Sequence, residues 1–185
     1  METSATVVAR VTPADLDNDT PCAGWTLRRL LEHMVGQNHG FAAAAAGAGC
    51  DPAPFTDRPV GDDPAGVYAA SVERVTAAFA ACDPGATLRL PEISTARPFP
   101  MPLAIRFHLI DYVVHAWDVA RSIGTTVEFD DDILTEALAV AKLVPDDESR
   151  LREGAFFRPA VPPVGDGTLD TVLAMLGRSA DWRAG

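Results

Sequence analysis

Four ionisable side chains stand at helical spacing inside an otherwise apolar stretch, IRFHLIDYVVHAWDVARSIG, residues 105–124. His108, Asp111, His115 and Asp118 are separated by three, four and three residues. On an α-helix those steps return to one face. The residues between them, Leu109, Ile110, Tyr112, Val113, Val114, Trp117 and Val119, are apolar. A helix apolar around most of its surface belongs inside a core. Burying ionisable groups there costs several kcal/mol each unless they are paired or coordinated. Two arrangements meet that cost: a buried hydrogen-bond network and a metal ion. Asp111 and His115, one turn apart, can both reach one cation, but two ligands from one helix do not close a site. The chain has four histidines, His33, His39, His108 and His115. His33 sits beside Leu31 and Met34 in a separate stretch of helical periodicity, where a facing helix could bring it to Asp111 and His115. Two histidines and one carboxylate leave coordination positions open for water or a substrate. A buried His–Asp hydrogen bond fits the same spacing equally well.

The elements that must bring these residues together are helices. Thr26 is a candidate N-cap for a long helix over about residues 27–46, with Trp25 stapling onto Leu30. Gly36 and Gly40 on that helix allow close approach of a neighbour. Asp63-Pro64 reads as N-cap and first position of a second helix that runs to about Ala81. ATLRLPE, residues 86–92, alternates weakly and reads as extended. A third helix covers about residues 102–122 and is closed by Gly124. A fourth runs over about residues 130–143, where Asp130, Asp131 and Asp132 suit its dipole and Pro145 stops it. Residues 4–10 read as the end of a short first helix, and about residues 169–176 as a last one. The proline-rich FFRPAVPPVGDG between them reads as extended. Four principal helices with long connections predict an all-α four-helix bundle over residues 1–185 as one domain. Metal sites in such bundles are built from side chains on facing helices.

Composition removes several function classes. Fifteen Lys and Arg against twenty-six Asp and Glu leave a formal charge of −11. That balance supplies no basic surface for nucleic acid. No apolar run approaches the roughly 20 residues that span a bilayer. METSATVVAR has neither a basic leader nor a long apolar core, so no secretory leader is predicted. Cys22, Cys50 and Cys82 are far apart and odd in number, which fits reduced thiols in the cytoplasm better than a disulfide framework. Trp117 reads as core, Asp118 as a residue that orients His115, and Cys22 as a loop thiol without special reactivity. Arg106 and Arg121 read as surface cations.

Two segments carry a resemblance. TPCAGWTLRRLLEHMVG, residues 20–36, and HLIDYVVHAWDVARSIG, residues 108–124, together resemble the DinB-like metal-binding superfamily. They are more closely similar to proteins related to mycothiol-dependent maleylpyruvate isomerase. The tail FFRPAVPPVGDGTLDTVLAMLGRSADW resembles the closing segment of an uncharacterised metal-binding branch of that group. The resemblance runs from about Val8 to Trp182. It implies a DinB-like four-helix bundle with one divalent metal, zinc or nickel, held by His33 and His115. In the isomerase a glutamate stands four residues before the second histidine, and here that position is Asp111, one methylene shorter. His108, one turn away, is the reserve ligand and Asp118 a supporting residue. The resemblance further implies a low-molecular-weight thiol cosubstrate, a small-molecule electrophile and a homodimer. The expected activity is that of a metal-dependent, mycothiol-type S-transferase or isomerase. The rival expectations are a non-catalytic metal- or ligand-binding stress-response module and a metal-free bundle whose His–Asp network fixes helix register.

Overall fold

The computed structural model describes residues 1–152 and 154–184. Six helices follow in order: α1 (Glu2–Val8), α2 (Leu27–Ala45), α3 (Pro64–Ala81), α4 (Met101–Ser122), α5 (Asp131–Ala141) and α6 (Thr168–Met175). Between α3 and α4 a two-residue ribbon pairs β1 (Thr87–Leu88) antiparallel with β2 (Phe99–Pro100), Thr87 opposite Pro100. The long helices begin where local chemistry starts them. Thr26 Oγ1 accepts from Arg29 N at the head of α2, and Asp63 accepts from Gly66 N at the head of α3, where Pro64 takes the first position. A cap of this kind contributes about 1 kcal/mol. Gly124, at φ +67°, turns the chain off the end of α4. A residue with a Cβ is strained in that backbone region.

Helix α2 buries Leu27, Leu30, Leu31, Met34 and Phe41. The fully buried leucines each contribute about 1.5–3 kcal/mol by leaving water. Its two glycines are where a neighbour comes closest. A Cβ on Gly36 would lie 2.5 Å from Thr56 O, and one on Gly40 would lie 2.2 Å from the Phe55 ring. The short turn Ala53–Phe55 therefore packs directly on the α2 backbone, and Arg58 N donates to Glu32 O at 3.0 Å. This contact fixes where Asp57 stands.

Helices α1 and α2 each pack against both α3 and α4, so α1–α4 close a four-membered bundle. Tyr68 on α3 donates to Ser4 on α1 at 2.9 Å inside it. Helix α5 lies outside, against α4 and α6. The fourth wall of the bundle is thus the seven-residue α1 rather than the helix after Gly124, which the sequence counts among its four principal helices. The cause lies in α4, which is apolar on both sides. Val119 and Ala120 join the core of α1 and α2, while Ile110, Tyr112, Val113, Val114 and Trp117 join that of α5 and α6. Trp117 is a core residue, as its surroundings predict.

Among the described residues, 142–152 and 154–167 are irregular apart from a short turn at Glu148–Leu151, and a buried arginine organises this tail. Arg150, 4 % exposed, donates to the carbonyls of Val144, Pro145, Arg158 and Met175. Each bond to a charged donor is worth about 1.5–3 kcal/mol. No helix among the described residues is long and apolar enough to cross a membrane.

Candidate metal centre

Helices α2 and α4 face each other, and their contact brings His33 to His115. The two imidazoles meet edge to face, with centroids 5.4 Å apart and planes at 83°. Asp111, one turn before His115 on α4, places Oδ1 3.3 Å from His115 Nε2. One donor atom from each of His33, Asp111 and His115 lies within 4.8 Å of the others.

Each histidine meets a carboxylate at Nδ1, His115 from the buried side and His33 from the exposed Asp57. His115 Nδ1 donates to Asp118 Oδ2 at 2.9 Å, and His33 Nδ1 lies 3.4 Å from Asp57 Oδ1. A carboxylate on Nδ1 fixes the tautomer and leaves Nε2 as the nitrogen available to a cation. Trp25, at the head of α2, presses on the His33 ring at 5.1 Å. The group is open at the front, where the His33 and Asp111 side chains are 18 % and 24 % exposed, and closed behind, where Asp118 is fully buried.

Electrostatics follow this geometry. Burial alone would push the Asp111 carboxyl up. The adjacent His115, then His33 and His108, hold it well below the usual carboxylate range. Burial alone would push His115 down, but Asp111, Asp118 and Cys22 hold it well above the ordinary imidazole value. A position that attracts a proton this strongly attracts other cations. Burial pushes Asp118 up as well, and Arg178 and His115 more than reverse it.

The residues present suit a divalent ion. A metal bonded at about 2.1 Å separates its ligands by roughly 3–3.5 Å. Asp111 Oδ1 and His115 Nε2 already stand at 3.3 Å. Two imidazoles and a carboxylate suit zinc and the neighbouring divalent transition metals.

His108 goes elsewhere. Its Nε2 bonds to Asn38 Oδ1 at 2.9 Å, and its ring packs between Phe41 and Phe79. Burial pushes it down to about 4, so it is neutral near pH 7. Asn38 in turn donates to Ser71 on α3 at 2.8 Å, which makes His108 part of the bundle's internal hydrogen bonding rather than of the donor group. The stripe of four divides for a geometric reason. Seven residues of helix rise about 10 Å, more than one cation's ligand shell spans.

Four residues near the group, Asp57, Arg178, Cys22 and Glu92, stand at no spacing that points to a role in it. Asp57 lies in an aperiodic loop. Arg178 follows the last helix, and its side chain reaches back to Asp118 at 3.2 Å. Cys22 touches Asp118 and Arg178, each at 3.2 Å, and its only sequence signal is its place in the PCAGWT segment. Glu92, from the loop after β1, accepts from Gln37 at 2.8 Å one turn along α2 from His33. Burial raises its carboxyl above the usual range.

Residues 1–120 match the family model described as the mycothiol maleylpyruvate isomerase N-terminal domain. Two uncharacterized proteins of Mycobacterium tuberculosis, Rv0738 and MT0763, are each 32% identical to the chain over 178 residues, covering 95% of it and 91% of their own length. Among solved structures, the crystal structure of the mycothiol-dependent maleylpyruvate isomerase superposes with a TM-score of 0.56 at 15% identity. That match covers 76% of this chain and 62% of the isomerase chain. At that identity the likeness speaks for the all-α, DinB-like fold, and the chain spans under two thirds of the isomerase.

Proposed function

Because the chain belongs to the mycothiol maleylpyruvate isomerase N-terminal domain family, we propose that it binds one divalent metal, zinc or nickel, through His33, Asp111 and His115, and uses it in thiol-dependent transfer or isomerisation on a small electrophile. One observation carries this reading. Both histidines are tied at Nδ1 to a carboxylate, His33 to the exposed Asp57 and His115 to the buried Asp118, and one donor atom from each of His33, Asp111 and His115 lies within 4.8 Å of the others. A bound divalent ion lowers the pKa of a thiol or water that it holds, and so supplies a nucleophile near neutral pH.

The chain's own residues do the rest. Asp57 and Asp118 fix the two imidazoles. Trp25 limits His33 to one ring orientation. The partly exposed front admits a low-molecular-weight thiol of the mycothiol class and its partner substrate, while the closed back keeps water from His115. The thiol gives up its proton and its sulfur bonds to one carbon of an activated double bond, while the π pair of that bond moves to the neighbouring carbon, which in transfer takes up the proton. Transfer ends there, and isomerisation requires the same sulfur to leave again.

Metal analysis of protein purified without added metal, and after incubation with zinc or nickel, tests the binding step. The expected result is one equivalent, lost in His33→Ala and in His115→Ala. Absence of metal under every loading condition overturns the reading. Turnover of a thiol with a model electrophile then separates enzyme from binder. A rate no higher than that of the chelator-stripped protein removes the catalytic half and leaves a metal-binding module.

A further inference from the structure

Behind His115, on the side away from Asp111, a single carboxylate oxygen collects three donors. Asp118 Oδ2 accepts from His115 Nδ1 at 2.9 Å, from Arg178 Nη2 at 3.2 Å and from Cys22 Sγ at 3.2 Å. Arg178 Nη2 also donates to Cys22 Sγ at 3.2 Å. Asp118 is fully buried and Arg178 is 6 % exposed. A buried carboxylate without a cation is costly, and beyond the histidine Arg178 is the cation that Asp118 has among the described residues.

The chain goes to some length to place this arginine. Gly177 adopts φ +77°, and a Cβ there would lie 2.6 Å from Arg158 Cβ, so the turn that sends Arg178 inward accepts glycine alone. Arg178 N then donates to Leu173 O at 2.9 Å, and Nη1 donates to Leu176 O at 3.0 Å. Backbone and guanidinium are therefore both fixed before the contact with Asp118 is made. Arg178 lies outside residues 1–120, the part that matches the family model.

We propose that Arg178 is a positioning residue for the metal centre: it locks the Asp118 carboxylate, which holds the His115 ring with Nε2 turned toward His33 and Asp111. The inference rests on the metal-binding reading above. It makes the tail a working part of the site although none of the described tail residues offers a ligand atom to His33, Asp111 and His115. Loss of a group that orients a ligand costs about 10–100-fold in metal affinity. Because Arg178 acts only through Asp118, removing both should cost no more than removing either.

Zinc affinity by chelator competition, together with the visible spectrum of the cobalt-substituted protein, tests this in wild type, Arg178→Met, Asp118→Asn and the double variant. Circular dichroism of each in chelator checks folding. The expected result is a loss of about 10–100-fold in each single variant, an equal loss in the double, and the same shifted cobalt band in all three. Arg178→Lys, which restores the charge, should recover part of the affinity. Should Arg178→Met fail to fold, Arg178→Gln takes its place; its amide keeps a neutral donor toward Asp118, so a smaller loss, still above twofold, is expected. Zinc binding within twofold of wild type in a folded Arg178 variant overturns the proposal, as do losses that multiply in the double variant. A wild-type protein that binds no zinc overturns the metal reading instead, and is recognised because every variant then matches it.

Discussion

His108 and His115 lie two turns apart on one helix, both buried, at 3 % and 6 % exposed, and they meet opposite surroundings. His108 has two phenyl rings and one amide oxygen around it. His115 has a carboxylate on each nitrogen, Asp111 at 3.3 Å and Asp118 at 2.9 Å. The first environment favours a neutral ring that holds helices together. The second favours a ring that carries or shares positive charge. Residue type, helix and burial are the same, so the neighbouring anions alone make the difference. A histidine on an apolar face becomes a candidate ligand when a second helix brings it carboxylates, not because it is buried.

The largest test of this contrast is substitution of the two histidines. His115→Ala should lose stoichiometric metal, and His108→Leu should keep it while destabilising the fold by about 1–3 kcal/mol, since Asn38 Oδ1 loses its partner. Loss of metal in both variants would erase the contrast.

The pH dependence of the chelator-stripped protein should show opposite signs at the two rings. His108 has a folded-state value pushed down to about 4, below the unfolded imidazole. Its contribution is therefore complete above about pH 6.5 and is lost as pH falls toward 4, by up to about 3 kcal/mol. His115 is raised when folded. Its contribution is complete below about pH 6.5 and is lost as pH rises through its higher folded value. Urea unfolding across a pH series measures both. His108→Leu should flatten the acid limb and His115→Leu the alkaline one, and an acid limb unchanged in His108→Leu counts against a neutral ring.

A smaller effect is expected at the turn that carries Asp57. Gly36→Ala places a Cβ 2.5 Å from Thr56 O, and relief of that overlap costs about 1–3 kcal/mol of stability. It should also weaken metal binding, because Thr56 precedes the carboxylate on His33; a destabilised variant with wild-type zinc affinity would uncouple the two. The smallest change is Asp57→Asn. His33 is more exposed than His115, so metal affinity should fall about tenfold, the lower end of what such a partner contributes. A loss as large as that of Asp118→Asn would show that the two histidines are held with equal force.

Much of the front of the site was legible from spacing. Asp111 and His115 share a face by helical arithmetic, and the start signals at Thr26 and Asp63-Pro64 place α2 and α3 where the structure has them. The glycines at 36 and 40 announced a close neighbour. Periodicity could not divide the stripe, because it reports angle around the helix and not distance along it, and His108 therefore ranked beside His115. Nor could it show that α1, rather than α5, closes the bundle. That choice depends on which side of a doubly apolar α4 each partner covers. Asp57 and Arg178 were illegible for a further reason. Both sit in aperiodic segments and act through contacts set by tertiary packing, for which local pattern has no register.

The contact between Cys22 and Arg178 spans 156 positions of the chain. Synthesis runs from the N-terminus, so His33, Asp111 and His115 all exist before the arginine that locks the ring behind them. A cation can meet its ligands on a chain whose tail is still undocked, but the arrangement that keeps it there is completed afterwards. On the metal-binding reading, an undocked tail leaves the ligand set unchanged and removes only the lock behind His115.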